Sequence, residues 1–220
     1  MKRLILFGIL IVAGLKVSSQ NHFRLSFAVD PSINWMRTGN ANLSDGKSIL
    51  GYDFGLNSDY YFSDDERYSL ASGVQITNTG GEISYRAVSP FKFSGVTLPA
   101  QTKIKYQLRY IEIPVNIKLK TDDFNGAKYW GMLGFSGMVN ISAKGTSNDG
   151  TLNKANINDE VNLLNLAMNV GVGFDYNLGG SNSITAGLIF QNGLLDVTTD
   201  NAFTDKTIIN ALKLKIGLVF

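Results

Sequence analysis

Eight segments of this 220-residue chain have the length and composition of β-strands, and the connections between them alternate between long and short. The connections contain 17, 5, 24, 7, 17, 3 and 15 residues. In an antiparallel sheet, successive connections leave opposite ends, so all the long ones share one end. Barrels of the bacterial outer membrane have this asymmetry, with short periplasmic turns and long extracellular loops. The predicted strands are Phe23–Ile33, Gly51–Phe62, Tyr68–Thr79, Ile104–Lys120, Lys128–Ala143, Val161–Leu178, Asn182–Gln191 and Thr207–Phe220.

Within these segments, large apolar residues alternate with small or polar ones. From Leu164 to Tyr176 the even positions hold Leu, Met, Val, Phe and Tyr, while the odd positions hold Asn, Ala, Gly and Asp. The lumen of an eight-stranded barrel is only wide enough for side chains. We therefore expect the small face inside and the large apolar face outside, where only lipid tolerates it. The pattern predicts an all-β, eight-stranded antiparallel up-and-down transmembrane β-barrel.

The N-terminus has the pattern of a secretory signal peptide. Lys2 and Arg3 precede an uncharged stretch of apolar residues and glycine, Leu4–Leu15, and compact residues follow at Val17–Ser19. Twelve helical residues span about 18 Å, well short of the roughly 30 Å hydrocarbon layer. We therefore expect residues 1–19 to be a cleaved signal. Residues 20–220 would then form an outer-membrane barrel with short periplasmic turns and long extracellular loops.

The charge balance and residue usage argue against several classes of protein. Cleavage after Ser19 removes three of the 20 basic residues and none of the 18 acidic ones, so the net charge becomes −1. A chain of this balance lacks the basic surface that nucleic-acid binding requires. With no cysteine and one histidine, His22, the sequence offers no cofactor site, metal site or catalytic triad. We expect no enzymatic activity and no cofactor.

Aromatic residues concentrate around the short turns. Such residues form girdles at the interfaces of membrane barrels. The predicted girdle at the periplasmic rim comprises Tyr60, Tyr61, Phe62, Tyr68, Phe124, Tyr129, Trp130, Phe174, Tyr176 and Phe220.

Two segments resemble a known family. The stretch Tyr110–Lys118, which reads YIEIPVNIK, is similar to a "YLEIP" strand of PorT-like outer-membrane β-barrel proteins of Bacteroidota. The last strand ends in an aromatic residue, Phe220, and resembles the signal that the barrel-assembly machinery reads during insertion. The resemblance implies an outer-membrane location in contact with lipid. It also raises the possibility of an accessory subunit of a secretion or gliding assembly, with another envelope protein as its partner.

On the fourth strand, the apolar residues switch from even-numbered to odd-numbered positions. Apolar residues occupy even positions from Ile104 to Tyr110 and odd positions from Ile111 onward, and Pro114 cannot donate to the sheet. One extra residue would produce this switch, so the pattern predicts a β-bulge at Tyr110, Ile111 and Pro114.

The parity of the strands predicts which charged side chains face the lumen. Equal numbers of basic and acidic residues favour a network of ion pairs filling a narrow interior over a selective pore. The candidates are Arg24, Asp30, Asp53, Asp59, Arg109, Glu112, Lys118, Asp175, Lys213 and Lys215.

The 24-residue connection Gly80–Lys103 contains an apolar cluster at Phe91, Phe93, Val96 and Leu98. These residues either pack over the barrel mouth or form a contact patch for a partner. The function that the sequence favours is a non-enzymatic barrel that is structural or binds a partner through its extracellular loops. A narrow porin-like pore for small solutes and a soluble lipocalin-like binder are the alternatives.

Overall fold

Eight long strands account for most of the fold. The computed structural model describes residues 22–39, 43–87, 89–199 and 206–220, so the predicted signal peptide at residues 1–19 lies outside the described residues. The first, third and fifth strands extend several residues beyond the bounds predicted at their long-connection ends. The strands are Phe23–Thr38, Ile49–Tyr61, Tyr68–Tyr85, Lys103–Lys120, Ala127–Ser147, Leu164–Gly179, Asn182–Gly193 and Thr207–Val219.

The strands close into a barrel. Each pairs antiparallel with the next along the chain. The eighth returns to pair with the first, from Ser26 opposite Val219 to Thr38 opposite Thr207. Closure satisfies the backbone groups of every strand and leaves no sheet edge. The predicted fold class is confirmed.

The alternation of connection lengths also persists between these strand bounds. The connections contain 10, 6, 17, 6, 16, 2 and 13 residues, so every short one lies at the end where the first strand begins. Several long connections carry short elements that continue or cover the barrel. These are Leu43–Asp45, paired with the third strand, the hairpin Phe91–Phe93 with Val96–Leu98, Ala155–Asn156, paired with the fifth strand, and a 3-10 turn at Asn158–Glu160. Among the described residues, no helix is long and apolar enough to cross a membrane.

The outer wall is an apolar belt. Leu56, Val74, Leu133 and Val172 are each more than half exposed, and comparable side chains lie on every strand. A lipocalin-like barrel would keep such residues inside, so that interpretation is wrong for this chain. The belt needs lipid around it, because water does not stabilise a continuous apolar surface of this size.

The predicted aromatic girdle is exposed at most of its positions, but two of its members point inward. Tyr61 and Trp130 are buried within the barrel. Trp130 fits there because Gly173 and Gly187 lie against its ring. A Cβ atom at either glycine would come within 2.5 Å of the indole.

The predicted irregularity lies on the neighbouring strand. Arg109 faces Ser142 and Tyr110 faces Asn140, so the extra residue is Ile141 on the fifth strand. The inward face of the fifth strand changes there, from even positions such as Met138 to odd positions such as Ala143.

The fourth strand keeps one facing parity throughout, and the predicted switch at Tyr110–Ile111 does not occur. Tyr106 and Tyr110 face the interior, and so do Glu112, Pro114 and Lys118. A pairing irregularity is present at Arg109/Tyr110, but the switch of facing inferred for the fourth strand is wrong, because that inference assumed that apolar side chains always point outward. The interior at the long-connection end is itself apolar, so the apolar parity changes while the backbone does not.

Candidate functional site: the barrel interior and its cap

Charged side chains fill the middle of the barrel. Nine of the ten predicted lumen residues point inward and are buried or half-buried, from Arg24 near the short-turn end to Lys215 on the last strand. Arg109 is the exception, because the continuous parity of the fourth strand places it on the outer wall. Lys120, which the sequence reasoning left out, also points inward. It shares the parity of Lys118, and this was the signal that could have identified it.

The central group joins one lysine to two carboxylates. Lys213 Nζ lies 2.5 Å from Asp53 Oδ2 and 3.2 Å from Glu112 Oε2, and all three residues are almost completely buried. Glu112 also accepts hydrogen bonds from Thr77 Oγ1 at 2.6 Å and Gln191 Nε2 at 2.7 Å. Buried charges persist only when they are paired and hydrogen-bonded. This group therefore ties the second, third, fourth, seventh and eighth strands together across the lumen.

Neutral polar side chains occupy the space beside this group. Asn169 Nδ2 donates to Ser136 Oγ at 2.8 Å and to Asn116 Oδ1 at 3.1 Å. Gln75 Nε2 donates to Asn57 Oδ1 at 2.6 Å. Sequence reasoning, which followed charge alone, did not select these amides, although they have the inward parity of the charged candidates.

A second group of charges lies nearer the short turns. Lys118 Nζ is 2.9 Å from Asp59 Oδ2, and Lys120 Nζ is 2.6 Å from Asp175 Oδ2. Lys118 lies over the ring of Trp130, and Lys120 lies over the ring of Tyr61, each 5.1 Å from the centroid. The two members of the predicted girdle that point inward thus pack directly against the ion pairs.

The short-turn end is closed by an ion-pair cluster around Glu66. Arg24 Nη2 lies 2.6 Å from Glu66 Oε1, and Lys128 Nζ lies 3.1 Å from Glu66 Oε2. Arg24 Nη1 also donates to the carbonyl of Ser181 at 2.8 Å. Burial by itself raises the pKa of Glu66, but the bonds from Arg24 and Lys128 outweigh it and hold that pKa below its ordinary value.

An apolar and aromatic cap closes the opposite end. The hydroxyl groups of Tyr85 and Tyr106 are hydrogen-bonded at 2.5 Å. Phe91 stacks on Tyr85 with ring centroids 5.0 Å apart, and Phe93 packs edge-on against both tyrosines. The hairpin Phe91–Leu98 therefore folds over the mouth.

Of the two alternatives for the apolar cluster, the hairpin has the first, packing over the barrel mouth, and the contact patch of four exposed residues is wrong. Phe93 is 4% exposed and Leu98 is 0% exposed, and Phe91 packs against the same core. Only Val96, at 38%, presents a substantial apolar surface outside. The cluster buries itself because aromatic residues on the strands below offer it a complementary surface.

The interior retains little free space. One pocket of about 50 Å³ lies among Asn57, Gln75, Glu112 and Lys213. Another of about 60 Å³ lies near Arg24 and Asp175. A water molecule needs roughly 10–15 Å³, so each pocket accommodates a few waters. In the described part of the chain, no group of histidine and carboxylate side chains has the arrangement of a metal site.

The last residue, Phe220, lies on the outer surface at the short-turn end. Its ring is exposed, and its backbone N–H donates to the carbonyl of Leu25 at 2.8 Å. The end of the chain is thereby fixed to the first strand at the point where the barrel closes.

Solved barrels of similar shape share little sequence with this chain. Neisserial surface protein A is 14% identical, with 89% of this chain and 95% of that chain covered and a TM-score of 0.49. Ail, the attachment invasion locus protein of Yersinia pestis, is 14% identical, with 90% and 99% covered and a TM-score of 0.45. The outer membrane protease OmpT of Escherichia coli is 9% identical, with 94% and 99% covered and a TM-score of 0.45.

Comparison by sequence gives a more specific result. No curated protein matches the chain. The profile of a family described as the outer membrane protein beta-barrel domain matches residues 17–199, which is most of the sequence. The apolar belt, the closed antiparallel barrel and the polar interior agree with an outer-membrane location. The chain therefore belongs to the outer membrane protein beta-barrel domain family.

Proposed function

We propose that this protein is a closed, non-enzymatic outer-membrane barrel that acts through the surfaces it presents outside its lumen. The observation that carries the proposal is that the lumen is filled at three levels. The aromatic cap, the Lys213 group and the Glu66 cluster each cross it, and the pockets between them have room for only a few waters. Solutes would have to break buried ion pairs to pass.

The proposal includes an orientation. The short turns face the periplasm, where exposed aromatic residues such as Tyr60, Phe124 and Tyr176 form the interfacial girdle. Residues 1–19 direct export, and the barrel-assembly machinery reads the strand that ends at Phe220. The long connections are then extracellular and carry the contacts to an envelope partner. In its most specific form, the proposal makes this chain an accessory subunit of a secretion or gliding assembly of the PorT-like type.

Single-channel recording in planar bilayers tests closure. Purified wild-type protein is expected to insert without giving stable conductance steps. Glu66→Ala opens only the short-turn end and should behave like the wild type, because the cap and the Lys213 group remain. Reproducible steps from the wild-type protein would instead support the narrow pore.

Photocrosslinking in the native envelope tests contact through the loops. A photoreactive amino acid in place of Val96 is exposed near the tip of the hairpin. The same amino acid in place of Val115 lies in the apolar belt of the outer wall. We expect a protein adduct of defined mass from position 96 and none from position 115. Equal labelling from both positions, or none from any long connection, would contradict partner binding through the loops.

A further inference from the structure

A polar groove interrupts the outer wall where the apolar belt ends. It has a volume of about 320 Å³ and crosses the second to fifth strands near their long-connection ends. Its lining contains three basic side chains and no acidic one. The polar residues of the lining include Asn78, Gln107, Arg109, Ser142, Lys144 and Lys154.

The basic residues lie at the level where a bilayer changes from hydrocarbon to head groups. On the fourth strand, the outward apolar run from Leu119 to Ile111 ends at Arg109. On the fifth strand, the extra residue Ile141 changes the facing parity, so that Lys144 points outward opposite Gln107. A charge on a barrel wall costs several kcal/mol at the bilayer midplane and about 0–1 kcal/mol near the interface. The groove therefore lies at the depth where lipid phosphates are found.

The cationic groups of the groove are positioned but not neutralised. Arg109 Nε donates to Asn78 Oδ1 at 2.9 Å, and Asn78 Nδ2 donates to the carbonyl of Tyr52 at 3.3 Å. These bonds fix the guanidinium, while its terminal nitrogens donate to no other residue that the structure describes. Neither Lys144 nor Lys154 forms an ion pair with a described carboxylate. An arginine fork and two ammonium groups match the oxygens of a phosphate monoester, a group that carries up to two negative charges.

An apolar groove adjoins the basic one. It has a volume of about 300 Å³, and Leu50 and Gly51 line both grooves. Its other walls include Ile33, Leu188, Leu212 and Leu214. Leu50 is 84% exposed and stands between the two grooves as a ridge. A single ligand with a phosphate head and a hydrocarbon chain would fill both.

We propose that this two-part groove is a specific binding site for a phosphorylated lipid of the leaflet that surrounds the long-connection end. The phosphate accepts hydrogen bonds from Arg109, Lys144 and Lys154. One acyl chain lies across the first and eighth strands in the apolar groove. The site is on the outer wall and is independent of whether the lumen conducts.

Native mass spectrometry of the full barrel in uncharged detergent tests the site, with phosphatidic acid as the probe. The variant Arg109→Gln, Lys144→Gln, Lys154→Gln is expected to bind phosphatidic acid at least about tenfold more weakly, since each basic residue near a membrane surface contributes about 1 kcal/mol. The control variant Lys47→Gln, Lys92→Gln, Lys206→Gln removes the same charge from exposed positions outside the groove and should bind as the wild type does. If the triple variant fails to fold, Arg109→Gln alone serves, because Arg109 is exposed.

Two further ligands and one further variant test which parts of the lipid the groove binds. Diacylglycerol with the same chains should bind weakly, because it lacks the phosphate. Inorganic phosphate should not displace the lipid, because it leaves the apolar groove empty. Leu212→Trp, which fills that groove, should weaken the binding of phosphatidic acid. Equal binding by wild type and groove variant, an equal loss in the control variant, or displacement by inorganic phosphate at equal concentration would overturn the proposal.

Discussion

At the scale of single residues, pairing decides what the interior tolerates. Lys213 is the cation that lies within ion-pair distance of both Asp53 and Glu112. Each of these carboxylates is almost completely buried, so bulk solvent does not replace a lost partner. The stability of the polar layer in the lumen therefore depends on the Lys213 side chain more than on the residues at the edge of that layer.

Lys213→Met is expected to lower the free energy of unfolding by about 3–5 kcal/mol, because it leaves two carboxylates buried without their cation. Urea unfolding of the refolded barrel in detergent measures the change. Adding Asp53→Asn and Glu112→Gln to Lys213→Met should recover part of the loss, since the uncompensated charges are then gone. Lys92→Met changes an exposed lysine and serves as the comparison. If Lys213→Met lowers the free energy of unfolding no more than Lys92→Met does, the Lys213 group does not stabilise this layer.

Glu66 makes the free energy of unfolding depend on pH in a defined direction. Its pKa is lower in the folded protein than in the unfolded chain, so the folded state binds fewer protons. The stabilisation is fully present above the ordinary glutamate pKa of about 4.3 and is lost as the pH falls through the folded pKa. The difference in unfolding free energy between wild type and Glu66→Gln should be constant near neutral pH and shrink below about pH 4.5. A difference that grows on acidification would refute this assignment.

At the scale of strands, one inserted residue sets which side chains face in and out at the long-connection end. After Ile141, the fifth strand turns Ala143 and Ser147 inward and Lys144 outward. A shift of one residue reverses every later side chain on a strand. The cap and the basic groove on the outer wall therefore depend on the same bulge.

Insertion of one residue between Ser142 and Ala143 should place Lys144 inside the cap and expose Ala143. Burying an unpaired ammonium group is costly, so we expect a lower midpoint of urea unfolding and a less ordered cap. Insertion of one residue after Ser89, an exposed residue of the connection between the third and fourth strands, is the matched control. Near-ultraviolet circular dichroism reports on the aromatic cap, and an unchanged spectrum after the insertion at Ser142 would mean that the register of the fifth strand does not set the facing of the cap residues.

At the scale of the whole molecule, the solvent on the outside decides stability. Val115 lies at the centre of the outward apolar run of the fourth strand, while Val96 lies at the tip of the cap hairpin. The two residues have the same side chain but different surroundings, lipid for the first and water for the second.

Val115→Arg should destabilise the barrel in lipid vesicles by about 2–4 kcal/mol, because it places a charge near the bilayer midplane. Val96→Arg should change stability little. Reversible unfolding in vesicles compares the two variants. Equal effects would mean that the fourth strand is not surrounded by hydrocarbon.

The sequence by itself determined the strands, their order and the outward apolar wall, because a period of two and alternating connection lengths are local properties. It also identified most lumen charges, since Asp53, Glu112 and Lys213 follow from parity. Tertiary structure decided the facing of Arg109, Tyr61 and Trp130 and the burial of Phe93 and Leu98. These depend on what fills the lumen at each level. An apolar residue can face either lipid or an apolar cap, and only its neighbours across the barrel distinguish the two.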